Sequence, residues 1–509
     1  MVTRILATEV ARSAGTRARK TARAVQSHAT RAATGILGLA GERMSKVDTA
    51  WLRMDSPSNL MVIVGVWALK PAVRYEELCK RVEDRLLKYN RFHQRVVEDA
   101  AGATWVEDTN FDITKHVVRE KLPKHRKGGD QVALQERVGA LAMQPLDRAR
   151  PLWQIHLVEN YEGGSAMIFR IHHCIADGIA LISVMTSLVD GGEAPPERRR
   201  KQSPGNPDEW IAETLIKPFT DITVKALGAA GGGVAKSLEM LHAPQHGLAG
   251  SLDFARLGMQ VVGDAAAMLM MPDDSKTRLK GKPGRSKRVA WCPPVPLEDV
   301  KAVGKALNCS MNDVLLSCVA GAIGEYLRSF GDDVTGQEIR AMVPVNLRPI
   351  EQAYKLGNRF GLVPLVLPIG IQNPVERVYE VRRRMNALKG STQPVLAFLV
   401  LAVSGLLIKP AQDAIMGMFG RKTTAVMTNV PGPRNKLKFL GSTLEQQMFW
   451  VPQSGDIGLG VSILSYGGGV QFGVITDSTL CPDPQKIIDE FEPEFARLSV
   501  VTLMLPWGD

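Results

Sequence analysis

The residues from 172 to 178 read His-His-Cys-Ile-Ala-Asp-Gly and constrain the fold of this chain more than any other stretch. The run 166–171 just before them is apolar apart from Arg170, as in a strand whose side chains point alternately to two faces. After Gly178, apolar residues return at helical spacing. The stretch therefore predicts a junction between a strand and a helix, where short loops hold functional groups rigidly.

The alternation along this strand separates the two histidines. His173 shares a face with Phe169 and Ile171, so its ring is predicted to look into an apolar space, whereas His172 shares a face with Arg170. An imidazole has an unperturbed pKa of about 6.5 and can exchange a proton near neutral pH. A histidine at this junction is therefore a candidate general base for a substrate in a cleft.

Simpler interpretations of the same residues stand beside this one. Adjacent histidines are more often packed or exposed side chains than catalytic ones. Asp177 can serve only as the cap of the following helix, with Gly178 permitting the turn. A metal site is disfavoured, because neighbouring strand residues point apart and no third His or Cys stands nearby at ligand spacing. For the same reason Cys174 is not expected to act as a nucleophile beside His173.

Several further blocks follow a fixed order along the chain. They are 45–52, 111–119, 146–153 with Pro151, Leu152 and Trp153, 312–315 with Asn312 and Asp313, 344–348 ending at Arg348, 356–358, 428–433 with Asn429, Pro431 and Gly432, and 464–466. Together with the HHxxxDG stretch, these blocks resemble the bacterial wax ester synthase/diacylglycerol acyltransferase family. That family is one of the CoA-dependent acyltransferase groups that share this signature. The resemblance runs roughly from Met44 to the C-terminus.

The resemblance implies an α/β fold of two chloramphenicol-acetyltransferase-like domains. Each domain would be a mixed sheet with helices, and the active site would lie in a tunnel at their join. The implied activity is direct transfer of a long-chain acyl group from acyl-CoA to diacylglycerol or to a long-chain fatty alcohol. No metal or redox cofactor is implied, since acyl-CoA is a substrate and the acyl group forms no covalent intermediate with the protein.

The resemblance also suggests roles for single residues. His173 is expected to be the essential base, with His172 less important. Asp177 is expected to orient the loop by pairing with Arg348. Asn312 is the candidate donor to the oxyanion, although a helix cap is nearly as good an interpretation. Gly178 and the remaining motif residues, namely Asp313, Pro151, Leu152, Trp153, Asn429, Pro431 and Gly432, are expected to be structural.

Three departures from the family pattern leave substrate preference more open than activity. Val62 follows Met61 where the family often has histidine, Gln154 follows Trp153 where an acidic residue is usual, and 43 residues precede the family's usual start. Two other functions stay open. One is a carrier-protein-dependent acyltransferase of the polyketide or peptide-synthetase condensation type, which shares HHxxxDG. The other is a non-catalytic protein of lipid surfaces that keeps the fold.

The distribution of composition predicts four segments. These are a basic extension over 1–43, a first acyltransferase domain over 44–195, a linker with helices and a basic run over 196–288, and a second acyltransferase domain over 289–509. Proline and charge are concentrated at the start of the linker. In the second domain, the glycines at 467–469 between two alternating runs predict a hairpin turn.

The net charge of +11 predicts an anionic partner. Nucleic acid is disfavoured, because zinc-finger spacing is absent and aromatic residues make up only 6% of the chain. CoA phosphates and anionic lipid surfaces fit better. Residues 1–43 alone carry eight basic and two acidic side chains, so they hold +6 of the total. They are expected to be either a surface-seeking arm or a disordered tail.

The longest apolar run suits a core helix better than a membrane span. Residues 395–408 are only 14 in number, whereas a span needs about 20. The six cysteines form no CxxC pair, and no secretory signal is apparent, so reduced thiols are expected. The expected location is therefore the cytoplasm, with peripheral association to the inner membrane or to lipid inclusions.

Overall fold

The computed structural model describes residues 41–99, 102–123, 129–193, 270–348, 356–389, 393–405, 407 and 409–504. The predicted basic extension up to residue 40 lies outside the described residues. Most of the predicted linker, residues 194–269, does so as well. The described chain forms three β-sheets with helices packed around them.

The first half of the chain contains seven strands and four α-helices within the described residues. In chain order they are β1 (Glu42–Arg43), α1 (Lys46–Arg53), β2 (Val62–Lys70), α2 (Tyr75–Arg85), β3 (Gln94–Asp99), β4 (Gly102–Glu107), β5 (Val117–Glu120), α3 (Gly129–Ala142), β6 (Trp153–Tyr161), β7 (Gly164–His172) and α4 (Gly178–Leu188). Short 3₁₀ turns lie at Leu86–Lys88, Asn90–Phe92 and Ile113–Lys115.

The second half continues the same mixture of strands and helices. In chain order its elements are β8 (Lys287–Trp291), β9 (Val295–Pro296), α5 (Leu297–Ala306), α6 (Met311–Ser329), β10 (Ile339–Asn346), β11 (Phe360–Leu367), α7 (Pro374–Leu388), α8 (Gln393–Ser404), α9 (Lys409–Arg421), β12 (Ala425–Pro431), β13 (Lys438–Phe439), β14 (Ser442–Trp450), β15 (Leu459–Tyr466), β16 (Gly469–Asp477) and α10 (Pro484–Leu503).

The strand that carries the histidines lies in the middle of a six-stranded sheet. The strand order is β13-β14-β2-β7-β6-β5, with antiparallel pairing on both sides of β7. All nine residues of β7 are buried. A strand that is covered on both faces is stabilised by apolar side chains at nearly every position, which explains the composition of residues 164–172. The strand predicted over 166–172 is confirmed, and it begins two residues earlier.

This sheet is completed by two strands from the second half of the chain, β13 and β14. β14 pairs antiparallel with β2 over the registers from Thr443–Lys70 to Trp450–Val64. We propose the division into domains at 44–195 and 289–509, and in this sheet β14 of the second half pairs with β2 of the first half. The second half of the chain thereby contacts β2, the strand that neighbours β7 and its histidine.

A seven-stranded sheet occupies the second half, with the order β11-β10-β12-β15-β16-β8 and with β9 on β16. The predicted hairpin at 467–469 is confirmed, because β15 and β16 pair antiparallel from Tyr466–Gly469 onward. Gly467 and Gly468 have φ values of +59° and +82°. Glycine adopts such values without the steric cost that a side chain would bring.

A small sheet joins the first described residues to the body of the protein. Glu42 and Arg43 pair with Trp105 and Thr104, and the Arg43 guanidinium contacts Asp99 at 2.8 Å. The basic extension predicted over 1–43 therefore ends in two residues that belong to a sheet. Ladder hydrogen bonds and this ion pair fix them, which composition alone does not reveal.

The apolar run predicted as a core helix over 395–408 is helical up to Ser404, where α8 ends, and Phe398 and Leu401 on it are buried. Over the described ranges, no single helix combines the length and the apolar character needed to cross a membrane. The helices α5 and α6 pass that test only as a pair, and they are bent by 100° relative to each other.

Candidate active site

The HHxxxDG stretch lies where the two halves of the chain meet. β7 ends at His172, and the following turn forms a parallel bridge between Ala176 and Gly357 from the second half. Asp177 caps α4, because its Oδ1 accepts a hydrogen bond from Ala180 N at 2.9 Å. The turn is thus held by a strand, by a helix and by a segment of the other half.

The ring of His173 is enclosed by aromatic side chains. Trp51 stacks on it with ring centroids 4.1 Å apart and an interplanar angle of 14°. Phe360 lies 5.5 Å away on a tilted plane. The side chain is 3% exposed, and its burial lowers the pKa of His173 to about 4. The imidazole is therefore neutral at pH 7, as a general base must be.

The backbone of His173 is fixed from both halves. His173 N donates to Met61 O at 2.7 Å, and Asn358 Nδ2 donates to His173 O at 2.7 Å. Asn358 is held in turn by Asp48 Oδ1, which accepts bonds from the Asn358 amide and backbone nitrogens at 2.8 and 3.0 Å. Burial raises the pKa of Asp48, and its bonds from Asn358 and the charge of Arg91 partly offset this shift.

His172 occupies a different environment on the other face of the strand. Its Nδ1 accepts a hydrogen bond from Cys174 N at 3.2 Å, and its Nε2 lies 3.4 Å from the carboxylate of Asp55. Burial alone raises the pKa of Asp55, but bonds from His172 and Met61 N outweigh it, so the net pKa is lowered. Both nitrogens of His172 are therefore occupied within the protein.

Asp177 joins the turn to the second half of the chain. Arg348 Nη2 donates to Asp177 Oδ2 at 2.8 Å, and the same nitrogen donates to Gly357 O at 2.7 Å. Asp177 Oδ2 also accepts from Arg359 N at 2.9 Å. Both side chains of the pair are essentially inaccessible to solvent. The contact between Asp177 and Arg348 expected from the sequence is present.

Asn312 lines the cavity of His173 from the first turn of α6. Its Oδ1 accepts a hydrogen bond from Asn429 Nδ2 at 2.8 Å. The cap of this helix is Ser310, whose hydroxyl accepts from Asp313 N while Asp313 Oδ2 accepts from Ser310 N. The interpretation of Asn312 as the helix cap is therefore wrong, because a capping box two residues earlier already begins the helix.

A cavity of about 340 Å³ opens beside His173 at the join of the two halves. Its walls are largely apolar, with several methionines such as Met342, Met416 and Met427. A second cavity of about 110 Å³ runs between α4 and the first sheet. Gly178 lines both cavities, and a Cβ built on it would meet no atom within 4 Å. Residue 178 is thus common to both cavities, and the space at its side-chain position is open.

The other motif residues support the cavity from outside or form its rim. Trp153 is buried in β6, and its Nε1 donates to Phe92 O at 2.7 Å. Leu152 O accepts from His172 N at 2.9 Å, and Pro151 precedes this strand. Pro431 and Gly432 line the second cavity at the end of β12. A Cβ on Gly432 would lie 2.5 Å from Ser465 O, so only glycine fits there.

Two other chemistries find no support at this site. Burial raises the pKa of the Cys174 thiol well above its usual value, which disfavours the nucleophilic thiolate. Over the residues that the structure describes, no group of three His, Cys, Asp or Glu side chains could hold a metal ion.

Four residues of the site received no role from the sequence. They are Trp51, Asp55, Asn358 and Phe360, each in contact with one of the histidines. Trp51 and Asn358 lie in blocks 45–52 and 356–358, which marked them as motif residues only. Asp55 follows the first block, and nothing in the local pattern pairs it with a histidine 117 positions later.

Comparison with known families identifies both halves of the chain. The model of the wax ester synthase/diacylglycerol acyltransferase catalytic domain matches residues 44–315. The model of the WS/DGAT C-terminal domain matches residues 356–499. The two matches cover the HHxxxDG stretch, Asn312, Asn358 and Asn429.

Relatives of similar length support this result. A probable diacylglycerol O-acyltransferase of Mycobacterium tuberculosis is 26% identical over 473 residues, which cover 90% of this chain and 96% of that protein. A putative diacylglycerol O-acyltransferase of Mycobacterium bovis matches to the same extent, with 26% identity over 473 residues.

Solved structures share the two-domain fold. The wax ester synthase/diacylglycerol acyltransferase from Marinobacter aquaeolei VT8 has a TM-score of 0.63 at 20% identity, covering 91% of this chain and 100% of that one. The first condensation domain of the CDA synthetase has a TM-score of 0.57 at 15% identity, with 90% and 96% covered. The chloramphenicol-acetyltransferase-like arrangement expected from the sequence is confirmed.

Proposed function

The chain belongs to the wax ester synthase/diacylglycerol acyltransferase family, and on that premise we propose how it transfers a long-chain acyl group from acyl-CoA. The acceptor is the free hydroxyl of diacylglycerol, with a long-chain alcohol as a second acceptor. One observation carries the chemistry. A neutral imidazole, that of His173, is held from both halves of the protein at the wall of an apolar cavity.

His173 acts as the general base. Its Nδ1 is buried without a hydrogen bond in the described chain, which leaves Nε2 to serve the cavity. Nε2 takes the hydroxyl proton while the alcohol oxygen forms a bond to the thioester carbon. The tetrahedral intermediate then loses the sulfur, and His173 returns the proton to the CoA thiolate. Proton transfer of this kind is typically worth 10²–10⁴-fold in rate.

Asn312 stabilises the negative charge on the former carbonyl oxygen. Its own oxygen is occupied by Asn429 Nδ2. The NH₂ group of Asn312 is therefore the part of the amide that can donate into the cavity. A donor fixed in advance costs no reorganisation during the reaction, which is the property an oxyanion site requires. Asn429 orients Asn312 and does not itself contact the reacting atoms.

The two cavities match two apolar substrates. The larger cavity receives the acceptor lipid beside His173, and the smaller one receives the acyl chain, since side chains such as Trp67, Phe169 and Leu181 line it. The open space at Gly178 lets both substrates meet at the histidine. Asp177 and Arg348 hold the turn between the cavities and transfer no proton.

The protein associates peripherally with the inner membrane or with lipid inclusions, where its lipid acceptors reside. The charge of the first 40 residues supports this proposal, since they include seven basic side chains and only one acidic one. Basic residues near an anionic lipid surface each contribute about 1 kcal/mol.

Release of free CoA tests the function. Purified protein is given palmitoyl-CoA with diacylglycerol, with hexadecanol or with no acceptor. We expect CoA release that depends on either acceptor, together with an equal amount of triacylglycerol or wax ester. Palmitoyl groups loaded on a carrier protein are the matched alternative donor. Transfer from that donor alone would assign the condensation-type activity, and no transfer from any donor would leave a non-catalytic lipid-surface protein.

A further inference from the structure

Trp51 is the side chain in closest ring contact with the proposed base. Its indole lies nearly parallel to the His173 imidazole, with centroids 4.1 Å apart and 14° between planes. Trp51 is 5% exposed and also stacks on Phe360 at 5.7 Å. The indole therefore covers one face of the imidazole, and Phe360 packs against both rings.

The helix that carries Trp51 is itself anchored firmly. Ser45 caps α1 and accepts a hydrogen bond from Asp48 N at 3.0 Å. Asp48, three residues before Trp51, reaches across to Asn358, which holds the carbonyl of His173. The indole and the backbone of the base are thus positioned by the same short helix, so the stack has little freedom to slide.

The surroundings of His173 hold no free negative charge for its protonated form. Asp177 is bonded to Arg348, Asp55 to His172 and Arg148, and Asp48 to Asn358 and Arg91. Over the described part of the chain, no carboxylate lies within 4.0 Å of His173. The charge of neighbouring His172 opposes protonation of the ring, whereas polar contacts with the Asn358 side chain and with the carbonyl of His173 itself favour it. A positive imidazole therefore forms here without a protein carboxylate in direct contact.

We propose that Trp51 is a positioning residue whose indole face holds the His173 ring and stabilises the positive charge that the ring carries during acyl transfer. The inference rests on the proposed function, because only a base that takes up a proton needs this help. The face of an aromatic ring attracts a cation, and tryptophan does so most strongly. When both groups are desolvated, the attraction reaches about 2 kcal/mol or more.

Replacing ring hydrogens of the indole with fluorine nearly preserves its shape but changes the electron density on its face. Fluorine withdraws electron density from the ring face, so a series of tryptophans with none, one or two fluorine atoms weakens the cation attraction stepwise at nearly constant volume. The series is incorporated into wild-type protein and, as the matched control, into Trp51→Phe. The control keeps the seven other tryptophans of the eight in the chain.

We expect kcat of the wild-type protein to fall with each added fluorine, while KM for palmitoyl-CoA and for the acceptor stays constant. The Trp51→Phe protein should show no such trend. Without fluorine, Trp51→Leu should lose about 2- to 30-fold in kcat, the range of a cation–π contact, and Trp51→Phe should lose less. Trp291→Leu, a buried tryptophan outside both cavities, controls for general loss of packing.

Equal slopes in the two fluorinated series, or no slope in either, would overturn the proposal and leave Trp51 as part of the cavity wall. A rise in KM with unchanged kcat in Trp51→Leu would do the same. If Trp51→Leu does not fold, the fluorinated series still decides, since fluorination leaves the volume of the indole nearly constant. Absence of CoA release by unmodified wild-type protein would instead refute the proposed function, and the two failures are thus distinct.

Discussion

The two adjacent histidines occupy opposite environments, and the difference supports His173 as the proposed base. His172 has both ring nitrogens engaged, one by a backbone N–H and one by Asp55. His173 has an aromatic ring on its face, a cavity at its edge and no carboxylate within 4.0 Å in the described chain. A side chain whose polar atoms are satisfied by the protein holds structure, whereas one left without partners is available for a substrate.

The charges around the turn follow the same division. Each nearby carboxylate is committed to a structural partner, as in the pairs Asp177–Arg348 and Asp55–His172. These pairs fix the position of His173 without touching its ring. The ring of His173, which burial keeps neutral, remains at the wall of the cavity.

Replacement of the histidines should separate them most clearly. His173→Ala should reduce turnover at least about a hundredfold, within the range of a lost general base. His172→Ala should lose clearly less, because His172 acts through the backbone and Asp55. Turnover is measured by CoA release on preparations shown to be folded by circular dichroism. Near-normal turnover in folded His173→Ala would contradict the division between the two residues.

Replacement of Asn312, the proposed donor to the oxyanion, should have the next largest effect on turnover. Asn312→Ala should lower kcat roughly 10²–10³-fold with little change in KM, as for an oxyanion donor. Asn429→Ala should lose less, since Asn429 only orients Asn312. Steady-state kinetics with palmitoyl-CoA decides between roles. A higher KM with unchanged kcat in Asn312→Ala would place Asn312 in substrate binding instead.

Breaking the ion pair between Asp177 and Arg348 should lower the stability of the protein as well as its activity. Asp177→Asn keeps the helix cap, since asparagine caps helices as well as aspartate does. It removes the charge that faces buried Arg348, at a cost of about 3–5 kcal/mol. The melting temperature should therefore fall together with turnover. Glu298→Gln, at an exposed pair with Lys301, is the control and should leave the melting temperature unchanged. Equal melting temperatures for Asp177→Asn and wild type would show that the pair contributes little.

The smallest effect on chemistry is expected from removal of the basic extension. The truncation removes residues 2–40 and keeps Glu42 and Arg43, because these two pair with β4. Turnover on dispersed substrate should stay nearly unchanged, while binding to anionic vesicles should weaken, most clearly at low salt. Co-sedimentation of both proteins tests this. Equal binding at every salt concentration would make the extension a tail without a role in location.

Local patterns predicted the part of the site that lies on one strand and one turn. The alternation of residues 166–171 placed the two histidines on different faces, because side-chain direction in a strand depends only on neighbouring residues. The glycine turn between β15 and β16 followed from the same kind of local rule. Likewise, the position of Asp177 before a helix was visible without any tertiary contact.

Contacts between distant residues could not be read in this way. Asp48 and Asn358 are 310 positions apart, and β14 reaches β2 across more than half of the chain. The stack of Trp51 on His173 depends on the entry angle of α1, which no local pattern fixes. The resemblance marked Trp51 and Asn358 as motif residues, but only their packing shows what they touch.

The pH dependence of kcat/KM tests most directly whether the buried, neutral His173 is the base. With its pKa lowered to about 4, activity should stay level from neutral pH downward and fall only as the pH approaches that value. Burial also lowers the pKa of His116 and His156. The stability that these neutral histidines provide is present above about pH 6.5 and is lost as the pH falls, so the folded fraction is measured at each pH. The account predicts an acid limb well below pH 6.5 in wild type. An acid limb at about pH 6.5 or above in folded protein would contradict it.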